Sequence, residues 1–315
     1  GEKDIKTSKI AVPILLAIVW GSGIGGFGSP LGGSANLVAI SYLENICGHE
    51  FMYIDWVSRF LPFLILTMLL NLAILVAIKL PVKKLANTKD YFNDMYKQLG
   101  PMSKGEKIGL GLFIISTVLA FARPLFAESL PALRPAYIFF ICGLLTFVLE
   151  DEEGKVLLTW KQAEKELMWG MFFLFAGGLA LGKMVTGTGA ATKLAEVITI
   201  LPLSGGIETI FAFTMFSTIL TEVSSNTAAA SIAIPIIQSI SEALGLNVIP
   251  YILVTIVAVN CAYILPVSTR AIPIGYGLEP SELFKHGVLL SVLNILLTTV
   301  LGYIFINYWS AFGQI

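Results

Sequence analysis

The sequence has few charged residues for its length. Only 13% of its 315 residues are Asp, Glu, Lys or Arg, whereas soluble domains average about 25%. The net charge of -1 leaves no excess of basic residues of the kind that binds nucleic acid, so we expect no nucleic-acid partner. Because 56% of the residues are hydrophobic, the composition is typical of a protein of the lipid bilayer.

Cysteine and histidine are also scarce. The spacing of Cys47, Cys142 and Cys261 indicates neither a zinc site nor a disulfide framework. Both histidines, His49 and His286, lie in predicted loops. Intramembrane proteases need paired aspartates, a His-Glu-x-x-His motif or a serine with a histidine partner, and no apolar run contains such a set. We therefore expect no enzyme activity and no cofactor besides a coupling ion.

Apolar runs of membrane length fill most of the chain. They lie at 10–40, 57–80, 107–124, 135–149, 168–187, 206–222, 228–244, 249–277 and 287–311. This pattern predicts an all-α, polytopic protein of the plasma (inner) membrane. Only a short polar segment joins 206–222 to 228–244, so these two runs predict a re-entrant helical hairpin.

The connecting segments predict the orientation. The connection 79–107 carries seven lysines and three acidic residues, whereas 41–55 has acidic residues and no Lys or Arg. By the positive-inside rule the first connection is cytoplasmic and the second external, so the hairpin enters from outside. The segment 157–161, with Trp160 at headgroup depth, predicts an interfacial helix.

Two of the long runs contain residues that interrupt a helix. Residues 25–36 include five glycines and one proline, and the run 249–277 is interrupted from Leu265 to Arg270, around Pro266. Irregular backbone at membrane depth survives only inside protein or beside a wet cavity. Secondary transporters build their substrate and ion sites at such breaks. The sequence therefore predicts a transporter.

Hydroxyl and carbonyl oxygens at the breaks suit a small alkali cation, and the helix N-termini that follow each break favour an anion. A nucleotide-binding loop is disfavoured because no Gly-Lys-Ser/Thr follows the glycines. Close helix packing through small residues explains Gly177–Gly182 well. It does not explain Asn36 or Asn226, since a buried Asn needs partners for several polar atoms.

Three stretches resemble the divalent-anion/sodium symporter family, which carries dicarboxylates, citrate or sulfate, usually with sodium. They are 157–189, with Trp160 and Trp169; 221–235, with Ser-Ser-Asn-Thr; and Leu-Pro-Val-Ser-Thr at 265–269. The resemblance spans the whole chain. It implies an elevator-type transporter of inverted repeats, each with a hairpin and a broken helix, and commonly a homodimer.

The resemblance also implies roles for particular residues. The residues expected to bind the anionic substrate are Ser225, Asn226, Thr227 and Asn36; Arg270, which departs from the family pattern, is a further candidate. The residues expected to bind sodium are Ser225, Asn226, Ser268, Thr269, Gly33, Ser34 and Asn36. Of the sodium residues, Gly33, Ser34 and Asn36 belong to the first repeat. Ser225, Asn226, Ser268 and Thr269 belong to the second repeat.

The chain departs from the family pattern in three ways. It starts at the first broken helix, so we expect a fragment of a protein longer by roughly four spans and a hairpin. The first loop has Gly-Ser-Ala-Asn at 33–36 in place of Thr-Pro-Pro-Asn. The second loop carries Arg270, for which we hold two hypotheses. It either replaces a bound cation or binds a substrate carboxylate, or it snorkels to water or pairs structurally with Glu222.

We predict four regions along the chain. Residues 1–56 close the first repeat, 57–105 form an arm helix and the basic loop, and 106–166 form scaffold helices with the interfacial helix. Residues 167–315 form the second-repeat transport region, with a hairpin at 206–244, a broken helix at 249–277 and a last span. The alternatives are an arsenite- or proton-antiporter relative of the same superfamily and an inactive fragment. In addition, Glu222 could carry a proton and so couple the transport to protons instead of sodium.

Overall fold

The computed structural model describes residues 10–78, 88–167 and 203–314, together with scattered positions between 169 and 193. Within these ranges the ordered elements are α-helices and short 3₁₀ helices, without a strand. The expectation of an all-α protein is confirmed for this part of the chain. The span predicted at 168–187 lies outside the continuously described residues.

We number the helices in chain order. They are α1 (Ala11–Gly26), α2 (Ser34–Cys47), α3 (Tyr53–Ala77), α4 (Thr88–Leu99), α5 (Lys104–Phe121), α6 (Pro135–Leu145), α7 (Trp160–Glu166), α8 (Ile207–Val223), α9 (Asn226–Ala243), α10 (Val248–Asn260), α11 (Ala271–Gly275) and α12 (Pro280–Tyr308). The 3₁₀ turns are Arg123–Leu125, Ser268–Arg270 and Ser310–Phe312. The chain divides into two compact units, one of residues 1–51, 55–81 and 170–315, the other of 52–54 and 82–169.

The first unit is built around α10. Nearly every residue of this helix is buried, and it packs against α2, α8, α9 and α12. A helix that is apolar on all sides belongs in the interior of a bundle, which is the position that α10 takes. The hydrophobic core therefore surrounds the helix that leads into the second break.

The first break separates α1 from α2 by residues 27–33. A Cβ atom on Gly32 would overlap the carbonyl of Gly26, so this close turn requires glycine. The buried indole of Trp56 donates to the carbonyl of Phe27 at 2.8 Å and satisfies one backbone group that the break frees. Because α2 continues to Cys47, the external loop predicted at 41–55 is shorter than expected.

The second break begins earlier than the sequence indicates. Helix α10 ends at Asn260, and residues 261–267 are irregular before the 3₁₀ turn, so the helix stops well before Pro266. The buried carboxylate of Glu222 accepts the backbone N–H groups of residues 263–265 and so replaces their helical partners. A side chain from another helix therefore satisfies the backbone groups that this early end of α10 frees.

The predicted hairpin consists of α8 and α9, which pack against each other and are joined by Ser224 and Ser225. Ser225 is the N-cap of α9, and its hydroxyl accepts the N–H of Ala228 at 3.2 Å. The tip is therefore a two-residue connection that ends one helix and starts the next.

In the described part of the chain, α3 and α12 are the two helices long and apolar enough to cross a bilayer. Helices α1, α6 and α10 are apolar but shorter. The span predicted at 135–149 is represented by α6, which ends at Leu145. Several of the apolar runs are thus helices that are shorter than the runs or are interrupted by a break.

The structure of the second unit differs from two of the predictions. Helix α4 lies within the region 79–107, which the sequence predicts only as a basic loop. The interfacial helix predicted at 157–161 begins only at Trp160, because Thr159 caps it through the N–H of Gln162. Helices α5 and α6 pack against each other in this unit.

Helix α12 passes close to the second break at Gly287, where a Cβ atom would overlap the carbonyl of Tyr263. We expect Gly287→Ala to lower the free energy of unfolding by about 1–3 kcal/mol, because neither backbone can retreat without disturbing the core. Gly111→Ala is the matched control, since Gly111 is a helical glycine with open space around it. Thermal unfolding in detergent measures both; equal stability of the two variants would contradict the prediction.

Candidate functional site

The first break and the hairpin tip meet through a pair of hydroxyl groups. Ser34 is the first residue of α2 and Thr227 the second residue of α9, and their side-chain oxygens form a hydrogen bond. Helices α2 and α9 also pack against each other. The structure therefore brings together two of the residues predicted for the site, although they are 193 positions apart in the sequence.

This contact places two helix N-termini side by side. The N-cap of α2 is Gly33, which has no side chain to satisfy the first N–H groups, and the side chain of Ser225, the N-cap of α9, accepts the N–H of Ala228. The first N–H groups of a helix have no intrahelical partner and carry a partial positive charge. The meeting point of α2 and α9 thus has the chemistry of an anion site.

Oxygen atoms from two helix C-termini gather beside this point. The hydroxyl of Thr221, near the end of α8, lies 2.9 Å from Oδ1 of Asn226 and 2.7 Å from the carbonyl oxygen of Val259, near the end of α10. Helix C-termini carry a partial negative charge, and carbonyl, amide and hydroxyl oxygens suit a hard monovalent cation. Donors for an anion and for a cation are therefore neighbours.

A buried pair of amides fixes the shape of the first break. The Nδ2 group of Asn36 donates to the carbonyls of Gly26 and Ser29, both at 2.8 Å. Its Oδ1 accepts a bond of 3.0 Å from Nδ2 of Asn260, which also donates to Ile256. Asn36 is fully buried and Asn260 is 4% exposed. Asn36 thus holds the loop and connects it to α10.

Asn260 is a site residue that the sequence reasoning did not identify. Its signal is present in the sequence, because it is the one strongly polar side chain at the end of the apolar run that forms α10. An amide in such a run needs partners for its donors and its acceptor. Only the fold shows that the partner of Asn260 is Asn36.

The second break is connected to the hairpin by Glu222 and Arg270. Besides the backbone N–H groups of residues 263–265, the Glu222 carboxylate accepts the hydroxyl of Ser291 at 3.2 Å. The Arg270 guanidinium donates through Nε to Leu265 O at 2.6 Å, and through Nη2 to Thr221 O at 3.1 Å. These contacts hold the broken segment against the end of α8.

The remaining predicted residues have different positions. Ser225 and Asn226 lie at the hairpin tip, as expected from the motif. Ser268 and Thr269 are exposed, and Ser268 has a left-handed backbone with φ of 58°. The described side-chain hydrogen bonds do not connect either of these two residues to the tip, and their role in a second sodium site stays a prediction.

Residues 2–315 match the family model of the sodium:sulfate symporter transmembrane region. The chain therefore belongs to the family of sodium:sulfate symporters, which are membrane transporters. The resemblance carried by the motifs at the hairpin tip and the second break is confirmed at the level of the family.

The chain is 27% identical over 312 residues to the sodium-dependent dicarboxylate transporter SdcS of Staphylococcus saprophyticus, covering 96% of this chain and 60% of that protein. It is 30% identical over 315 residues to an uncharacterised transporter of Haemophilus influenzae, covering 96% and 64%. SdcS of Staphylococcus aureus is 28% identical over 277 residues, covering 85% and 53%. The chain thus spans between about half and two thirds of the length of these curated relatives.

The Asn36–Asn260 contact predicts a measurable coupling. We expect Asn36→Ala and Asn260→Ala to destabilise the protein non-additively, with a coupling energy of about 0.5–3 kcal/mol, because each variant removes the same buried hydrogen bond. A double-mutant cycle by thermal unfolding measures this energy. Asn307→Ala is the control partner, since its exposed amide donates to Tyr303 of its own helix and has no other bond to the residues that the structure describes. Additivity in both cycles would refute the coupling.

Proposed function

We propose that the protein containing this chain carries a small divalent or trivalent anion (a dicarboxylate, citrate or sulfate) across the plasma membrane together with sodium. The observation that carries the proposal is the Ser34–Thr227 hydrogen bond, which brings two helix N-termini to one point. Membership of the family and the printed name of SdcS, a sodium-dependent dicarboxylate transporter, support it.

The substrate would lie between the starts of α2 and α9. Two partial positive charges at one point suit a ligand with two negative groups better than a monovalent anion. One of the Ser34 and Thr227 hydroxyls donates to the other, so the hydroxyl that accepts this bond and the amide of Asn226 would donate hydrogen bonds to the carboxylate or sulfate oxygens. Ser225 holds the start of α9 in place as its N-cap.

Sodium would bind the oxygens that lie next to the anion. Oδ1 of Asn226 and the carbonyl of Val259 already converge on the Thr221 hydroxyl. Gly33, Ser34 and Ser225 would contribute backbone or hydroxyl oxygens at the first break and the tip, with Asn36 holding the loop. A sodium ion beside the substrate compensates the negative charge of the substrate. Binding of either ligand would therefore raise the affinity of the protein for the other.

The movement that carries the substrate would involve the whole first-unit core. Helices α2, α8, α9 and α10 pack into one hydrophobic cluster, so displacing one of them alone would expose its buried face. We propose that the two breaks and the hairpin move together, as in an elevator mechanism. Multiple membrane crossings, inverted repeats and a homodimer belong to this proposal.

Uptake into proteoliposomes by the complete protein tests the proposed function. We expect uptake of radiolabelled succinate, citrate or sulfate to depend on an inward sodium gradient. Asn226→Ala should reduce this uptake about 10–100-fold, because a hydrogen bond to a charged ligand contributes about 1.5–3 kcal/mol. Uptake of none of the three anions under a sodium gradient would refute the proposal and favour an antiporter.

Asn307→Ala is the matched control for this experiment. It removes the same side chain from the exposed end of α12, where the amide bonds only its own helix. We expect its sodium-driven uptake to equal that of the unaltered protein. An equal loss in both variants would show that Asn226 acts through expression or folding rather than through binding.

A further inference from the structure

The guanidinium of Arg270 is surrounded by oxygen atoms of the kind that bind a cation. Nε donates to Leu265 O at 2.6 Å, and Nη2 donates to Thr221 O at 3.1 Å and to Glu222 O at 3.3 Å. A carboxylate oxygen of Glu222 lies 3.9 Å from Nη2. Three backbone carbonyls and a carboxylate therefore face one guanidinium, which is only 4% exposed.

The carbonyls are available because helix α8 ends there. Thr221 and Glu222 belong to the last turn of α8, whose carbonyls have no intrahelical N–H partner. These groups are at the negative end of the helix dipole and attract a positive charge. Leu265 O lies within the second break, where it accepts the N–H of Val267 at 2.8 Å and has a second lone pair for the guanidinium.

This set of donors is one that an alkali cation can also bind, since carbonyl oxygens can replace the hydration shell of such an ion. The guanidinium, however, is always charged, and because it is part of the protein it cannot leave the site as a bound ion can. A second cation at the same carbonyls would meet both steric overlap and like-charge repulsion. The position can therefore hold either Arg270 or a metal ion, but not both.

We propose that Arg270 is a tethered cation that takes the place of one coupling sodium ion at the second break. This inference rests on the proposed function, because it concerns the ions that drive the transport. Sodium then binds only beside the substrate, among the oxygens near Asn226 and the first break. The charge that a second sodium ion would supply comes from the protein itself.

Arg270→Ala in the complete protein tests the proposal. The variant leaves the Glu222 carboxylate and the three carbonyls without the guanidinium, so an additional sodium ion should bind. We expect the sodium-to-substrate coupling ratio in proteoliposomes to rise by one ion. We also expect the unfolding temperature of the purified variant to rise more steeply with sodium than that of the unaltered protein, at constant ionic strength set with choline.

Two variants act as controls. Arg270→Lys keeps a tethered positive charge, and we expect it to keep the coupling ratio of the unaltered protein. Arg123→Ala removes another buried arginine, which donates to the carbonyls of Leu130 and Pro131, both at 3.0 Å, outside the proposed site. Its sodium response should not change. An extra sodium ion in either control would overturn the assignment to Arg270.

A folded Arg270→Ala protein with an unchanged sodium response would also overturn the proposal. If Arg270→Ala does not fold, Arg270→Gln replaces it, because the glutamine amide can still donate to one carbonyl while the charge is removed. The unfolding measurement does not require transport. A failure of the unaltered protein to take up any anion with sodium would therefore refute the proposed function separately from this inference.

Discussion

The second break depends on the carboxylate of Glu222. Three consecutive backbone N–H groups, of residues 263–265, leave the helical pattern at the edge of the hydrophobic core, where each would be costly without a partner. Glu222 accepts all three, with distances of 2.7 to 3.1 Å. Its negative charge in turn lies beside Arg270. One side chain of the hairpin thus makes an irregular segment possible in an apolar surrounding.

Side chains also satisfy freed backbone groups elsewhere in the candidate site. Each interruption of a helix creates a C-terminal end with free carbonyls and an N-terminal end with free N–H groups. At the first break the amide of Asn36 binds the carbonyls, and the N-terminus of α2 remains available. At the hairpin tip Ser225 caps only part of α9. The groups that the protein itself leaves without a partner are those at which the proposed anion and cation would bind.

Several features of the fold follow from the residue pattern alone. The glycines and the proline at 25–33 disfavour a continuous helix, and the polar tip at 224–227 is costly in hydrocarbon, so a break and a hairpin were predictable. The position of the second break was not predictable from Pro266, because the helix already ends at Asn260 and the distant Glu222 binds the N–H groups of residues 263–265. Helix α4 was missed because the lysines around it were interpreted as a signal of membrane orientation, and its 12 residues are too few to cross a bilayer.

The sequence by itself determined the class of the protein: an all-α chain with interrupted apolar helices and the tip motif of a family of anion and sodium transporters. These properties are local, since composition, glycine, proline and the order of polar residues are sufficient for them. Only the tertiary structure decided which polar groups are partners. Asn36 meets Asn260, Ser34 meets Thr227 and Arg270 meets the end of α8 because helix packing brings distant segments together, and no local pattern encodes those distances.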